Sequence, residues 1–248
     1  MLQETRILMG MPVTVAIVEA NARQSDLEKI FDYFQAVDVQ FSPFKDTSET
    51  SAVDRGLPKK NWSDEMKAVV ALAEKTKKET EGYFDITTPD GKFNPVGIVK
   101  GWAIKNAADI LRAAGFRNFY VDAGGDIEAS GMNDRNEKWS IGIKNPFKQD
   151  EIVKTLFIKD LGVATSGTYI RGDHIYDPHT GRTDNNIVSL TVVGPDALEA
   201  DRFATGAFAM GEQGIRFIEG RLGLEGYMID KKGVATMTSG FSKYTEKE

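Results

Sequence analysis

The stretch VKGWAIKNAADILRAAGFRNFYVDAGGD, residues 99–126, carries the choice of fold class. Its first part reads as a helix, with apolar residues at helical spacing until Gly115 closes the run. NFYVDAGGD (118–126) then reads as a buried strand that runs into a glycine turn. The segments on either side mix strands and helices without strict βαβ alternation. That pattern predicts an α+β fold with mixed or antiparallel sheets and packed helices.

Upstream, residues 5–19 read as one strand, with Val13, Val15 and Ile17 alternating. A helix is expected from Ser25, where Ser25 and Glu28 have capping-box spacing. Leu27, Ile30, Phe31, Phe34, Val37 and Phe41 then form one apolar face. SPFKDTSETSAVDRG (42–56) reads as a polar loop, followed by a helix over 63–81 with Gly82 as its stop. Downstream, KWSIGIK (138–144), VKTLFIKD (153–160) and NIVSLTVVG (186–194) read as strands. Pro195 opens a helix to about Met210, and residues 226–238 form a hairpin.

The 248 residues are 41% hydrophobic and 27% charged, which suits an ordinary globular chain with a substantial core. A net charge of -6 argues against a general nucleic-acid or anionic-membrane surface. There are no cysteines, so disulfides, thiolate metal sites and cysteine nucleophiles are excluded. MLQETRILMGMPVTV lacks a basic region followed by an apolar one, and no apolar run is long enough to span a bilayer. The expectation is a soluble, cytoplasmic protein without membrane insertion.

Three segments carry chemistry-competent groups. DAGGD (122–126) ends a strand in two glycines and an acid, a turn that lets backbone N–H groups approach an anion, or simply a tight turn. EADRFAT places Asp201 and Thr205 four residues apart on one helix face, a hard-oxygen pair suited to Mg²⁺. On spacing alone, an exposed aspartate and a threonine bonded to its own helix fit better. ATSG (164–167) reads as a turn with donors directed to one point. His174, between Asp173 and Ile175, has the chemistry of a general base, whereas His179 reads as a turn residue. Neither a dinucleotide glycine signature nor a Walker lysine motif is present.

Taken in order, these segments resemble the ApbE family of FAD:protein FMN transferases. The matching stretches are MGMPVTVAI (9–17), DVQFSPFKDTSETSAVDRG (38–56), VKGWAI (99–104), AGGDIEASG (123–131), WSIGIKNP (139–146), ATSGTYIRGDHIYDPHTG (164–181) and LTVVGPDALEADRFATGAFAMG (190–211). The resemblance implies one two-lobed, T-fold-related unit over residues 1–248. It also implies Mg²⁺-dependent transfer of FMN from FAD to a Ser or Thr hydroxyl in the flavinylation motif of an acceptor flavoprotein, releasing AMP. FAD pyrophosphatase activity, or flavin binding without catalysis, stands as the alternative.

By the same resemblance, Asp201, Thr205 and the Val99 carbonyl hold the metal, and His174 is the base for the acceptor hydroxyl. Met9, Phe44, Lys100, Gly124, Gly125, Asp126, Ala164, Thr165, Ser166, Gly167 and Asp177 line or order the FAD site. Two positions depart from the family pattern. Phe44 replaces a common tyrosine and keeps its stacking ring. Lys105 stands where an acid is usual, which reverses the local charge. FDITTPDGKFNPVG (84–97) is shorter than in longer members and resembles the compact, non-lipoprotein type.

Overall fold

A computed structural model of the protein describes residues 1–168 and 175–246. Its ten strands among these residues are β1 (Leu2–Leu8), β2 (Met11–Ile17), β3 (Phe119–Ala123), β4 (Asp126–Ser130), β5 (Trp139–Asn145), β6 (Lys148–Ile158), β7 (Leu161–Gly167), β8 (Ile187–Gly194), β9 (Glu225–Asp230) and β10 (Ala235–Met237). The six α-helices are α1 (Gln24–Phe41), α2 (Glu49–Asp54), α3 (Asp64–Glu79), α4 (Val96–Ala113), α5 (Ala197–Ala209) and α6 (Gly214–Glu219).

Eight strands form one sheet in the order β1-β2-β3-β4-β7-β8-β9-β10, and β5 with β6 forms a separate hairpin. Every paired strand is antiparallel. The α+β expectation therefore holds. Strand alternation sorts the side chains into two faces. Val13, Val15, Phe119 and Val121 pack with α1, α3 and α4 on one side. Ala164, Leu190 and Val192 continue that face under α5 and α6. Ile127, Ala129, Val163 and Val193 point the other way, against Trp139, Ile143, Leu156 and Ile158 of the β5–β6 hairpin.

Several elements differ from the sequence reading. The single strand over 5–19 is a hairpin, because Met9 and Gly10 both adopt left-handed backbone (φ 52° and 71°), as a two-residue hairpin turn of this hand requires. The first helix starts at Gln24, one residue before the expected Ser25. The Asp26 carboxylate accepts the Arg23 N–H at 3.0 Å, while Glu28 is drawn to Arg6 of β1 at 2.8 Å. Within the expected loop 42–56 lies α2, whose cap Ser48 accepts the Ser51 N–H at 3.0 Å. Six residues are too few to show a helical period.

The turn expected at 164–167 is the end of β7, paired residue for residue with β8 from Ala164↔Val192 to Gly167↔Ser189. Pro195 precedes the helix cap and does not open the helix. Asp196 is the cap, accepting the Glu199 N–H at 2.8 Å. The apolar face of α1 and the α3 boundaries hold, with Ser63 capping α3 and Gly82 (φ 88°) closing it. No described helix is long and apolar enough to cross a membrane.

The placement of α5 rests on Gly162. A Cβ there would lie 2.0 Å from the Asp196 carbonyl carbon and 2.1 Å from the Ala197 nitrogen. Backbone cannot yield as a flexible side chain can. Gly162→Ala is therefore expected to cost about 3 kcal/mol by overpacking, read from the urea-unfolding midpoint. An unchanged midpoint would contradict so close a contact between β7 and the start of α5.

Candidate functional site

The predicted site residues Lys100, Asp126, Ser166, Asp201 and Thr205 meet where α4 and α5 cross over the ends of β4 and β7. The crossing is close because Gly101 has no side chain. A Cβ at that position would stand 2.7 Å from the Asp201 Cβ and 2.9 Å from the Ala197 carbonyl oxygen. Gly97, one turn earlier, faces Thr205, whose methyl would lie 3.7 Å from an added Cβ. Asp201 and Thr205 thus point inward, and Asp201 is buried. The exposed aspartate that spacing alone favoured is not what forms.

Two buried carboxylates share one arrangement. Asp126 accepts the Thr165 N–H on Oδ1 at 2.9 Å and turns Oδ2 to the Lys100 ammonium at 2.5 Å. Asp201 accepts the Gly101 N–H on Oδ2 at 2.8 Å and turns Oδ1 to the same ammonium at 3.6 Å. Asp126 Oδ2 has the ion-pair contact but no hydrogen bond of acceptable angle. Beside them, Ser166 Oγ lies 3.5 Å from Thr205 Oγ1. Burial pushes the Asp201 carboxyl up to about 7, with Lys100 opposing the shift and Asp126 adding to it.

Two carboxylates and two hydroxyls form an all-oxygen donor set suited to a hard cation such as Mg²⁺. Among the described residues no cluster of three or more His, Cys, Asp or Glu side chains is poised for a metal. A cation here would complete its shell with water or ligand oxygens, which is usual for Mg²⁺. Once Asp201 gives up its proton, the two carboxylates carry more charge than the one Lys100 ammonium offsets, and the pocket has the sign to attract a cation. Val99 is buried beside Lys100 in α4.

The glycine turn is used differently from the sequence reading. Gly124 donates its N–H to the Pro12 carbonyl at 2.9 Å, and Gly125 donates to Asp122 Oδ1 at 2.8 Å. These two donors are committed within the protein. What Gly125 leaves is open surface, since an added Cβ would meet nothing within 4 Å. Both glycines have positive φ (64° and 96°), as the β3–β4 turn requires. Met9 sits in the β1–β2 turn, and Met11 packs under Gly124.

Thr165 and Ser166 point to opposite faces of β7. Thr165 Oγ1 pairs with Thr191 Oγ1 at 2.9 Å, so of the two only Ser166 presents its hydroxyl to Thr205. Ala164 is buried under α5, and Gly167 ends the strand. Phe44 is 91% exposed after the end of α1. Asp177 organises its own turn, with its two oxygens accepting from the His179 N–H and the Thr180 hydroxyl at 2.9 Å each. His179 docks that turn onto the end of α3, its Nε2 3.1 Å from the Glu81 carbonyl and its ring edge-on to Tyr83. The turn role read for His179 fits this geometry. His174 lies outside the described residues.

Lys105 has its charge met one turn along α4 by Asp109, which also holds Arg112 at 3.0 Å. The charge reversal expected at this position is therefore balanced locally. Arg112 continues to Glu128 at 2.6 Å, and Glu128 accepts the Ala197 N–H at 2.6 Å. Burial pushes the Glu128 carboxyl up, while Arg112 and the Ala197 N–H hold it down. This acid pins the N-terminus of α5, where a negative charge also meets the helix dipole favourably. The one sequence signal for Glu128 is its two-residue spacing from Asp126, which puts both acids on one strand face.

The fold is shared with solved flavin transferases. The structure superposes on the flavin transferase ApbE from Vibrio cholerae with a TM-score of 0.87 at 24% identity, covering 98% of each chain. The ApbE protein from Thermotoga maritima matches at a TM-score of 0.88 and 20% identity, covering 99% of each. By sequence, the FAD:protein FMN transferase of Escherichia coli K12 is 31% identical over 189 residues, 71% of this chain and 54% of that protein. That of Vibrio cholerae is 36% identical over 143 residues, 54% of this chain and 40% of that protein. The chain thus spans about half the length of the curated relatives it matches. The ApbE family pattern covers residues 9–92 and 88–228, and the chain belongs to the ApbE family.

The raised Asp201 pKa gives a signed stability effect. A carboxyl at about 7 when folded, against an ordinary 3.8, holds a proton that the unfolded chain releases. Its contribution to stability therefore falls as pH rises from about 4 to 7. Asp201→Asn removes this dependence. In chelator, the variant's stability relative to wild type should be greater at pH 8 than at pH 5, measured by urea unfolding. An equal difference at both pH values would mean that Asp201 is not held protonated by burial.

Proposed function

We propose that residues 1–248 act as one FAD:protein FMN transferase unit, moving FMN from FAD to a Ser or Thr hydroxyl of an acceptor flavoprotein. The observation that carries this reading is the buried Lys100–Asp126–Asp201 cluster beside Thr205 and Ser166, set in the frame of the ApbE family. Binding alone gives no reason to bury two carboxylates against one ammonium. Diphosphate chemistry does, because acids that recruit a divalent cation would bring positive charge to where the anhydride breaks.

In this reading Asp201, Thr205 and the Val99 carbonyl hold Mg²⁺. When bound, Mg²⁺ supplies Lewis-acid stabilisation of the diphosphate oxygens. The acceptor oxygen attacks the phosphorus on the riboflavin side, the anhydride P–O bond breaks, and AMP leaves with the bridging oxygen. His174 takes the hydroxyl proton. Phe44 offers its exposed ring to the flavin. Met9, Gly124 and Gly125 provide turn surface against FAD, with Asp126 and Lys100 at the diphosphate. Ala164, Thr165, Ser166 and Gly167 form the strand edge of the site, and Asp177 holds the adjoining turn.

The test mixes the protein with FAD, Mg²⁺ and an acceptor bearing a Ser/Thr flavinylation motif. The expected product is a fluorescent covalent flavoprotein on a denaturing gel, with AMP formed in equal amount. Asp201→Ala should lower turnover by roughly 10²–10³ or more. His174→Ala should lower transfer by roughly 10²–10⁴ with FAD binding largely kept. Free FMN released at full rate in the presence of acceptor would point to FAD pyrophosphatase activity. Intact FAD after hours with Mg²⁺ would point to binding alone.

A further inference from the structure

We infer that Lys100 is the built-in counter-ion of the Asp126–Asp201 pair, and that a divalent cation enters by displacing its ammonium from Asp201. The inference rests on the metal reading of Asp201 given above. It assigns Lys100 a role in setting cation affinity, distinct from any contact with FAD.

The two carboxylates are mounted in the same way. Each has one oxygen fixed by a backbone N–H, from Thr165 in one case and Gly101 in the other. Each has its second oxygen turned to Lys100. The backbone bonds hold both free oxygens in place whatever sits between them. Lys100 is on the same α4 turn as the Gly101 N–H, so the ammonium and one anchor are built into a single element.

The two contacts are unequal. Lys100 lies 2.5 Å from Asp126 and 3.6 Å from Asp201. Asp201 is therefore the carboxylate it can release while keeping Asp126. Asp201 also shares its helix face with Thr205, so the released oxygen lies on the side of a second oxygen donor. Lysine suits such an exchange, as a point charge on a flexible stem. A rigid guanidinium would grip both acids.

The displaced ammonium stays within the same pocket, and its positive charge opposes the incoming cation. Lys100 thus keeps the buried acids paired when no cation is bound, and lowers cation affinity in return. Removing its charge should tighten cation binding. A lysine that merely organises the pocket would have the reverse effect when removed.

The test is Mn²⁺ titration of the intact protein without FAD by calorimetry at pH 8.5. Two buffers of different ionisation heat separate proton release from binding. Lys100→Met should bind Mn²⁺ about tenfold more tightly than wild type, and Lys100→Arg should not bind more tightly. Binding detectable only in Lys100→Met also supports the inference. Equal or weaker binding by Lys100→Met overturns it, as does no binding by either protein.

Should Lys100→Met fail to fold, the ¹⁵N resonance of the Lys100 ammonium in wild type gives the answer directly. It should shift on Mg²⁺ addition, and an unchanged resonance at saturation overturns the inference. Tightened Mn²⁺ binding with no flavin transfer to any acceptor would leave Lys100's role standing and defeat the transferase reading.

Discussion

The site depends on how closely α4 and α5 approach each other. Gly101 brings its own N–H within 2.8 Å of the Asp201 carboxylate at a crossing that has no space for a methyl group. Burying a carboxylate is costly unless hydrogen bonds and opposite charge compensate it. The Gly101 N–H and Lys100 supply both, from adjacent residues of one helix. Separating the helices would leave the acid without either.

The position of α5 is fixed from outside the site. Glu128 reaches up from β4 to the Ala197 N–H and is held in turn by Arg112 of α4. Gly162 lets β7 run against the backbone at Asp196. On the far side of the helix, Arg202 pairs with Glu199 and with Glu79 of α3. These contacts reach α5 from α3, α4, β4 and β7. Together they fix where Asp201 and Thr205 stand on α5. At 20–24% identity the likeness to solved flavin transferases concerns this scaffold.

The parts legible in the sequence are those governed by local rules. The face of α1, the cap and stop of α3 and the glycine turn after β3 follow from spacing and backbone preference. The Met9–Gly10 hairpin was hidden inside a continuous run of strand-forming residues. The segment 164–167 looked like a turn because its residues are small and hydroxylated, and pairing with β8 made it a strand. By sequence Glu128 is an ordinary strand acid, and only the position of β4 beneath the start of α5 gives it the Ala197 N–H as partner.

The sequence by itself determined the long helices and most strands, the supply of carboxylates, hydroxyls and glycines, and the order of segments that marks the ApbE family. Those properties depend on neighbouring residues or on residue order alone. Tertiary structure decided which acids are buried, which oxygens are anchored to backbone and which face Lys100. Gly101 and Asp201 are 100 residues apart, and only the packing of two helices without an intervening Cβ turns that separation into a hydrogen bond.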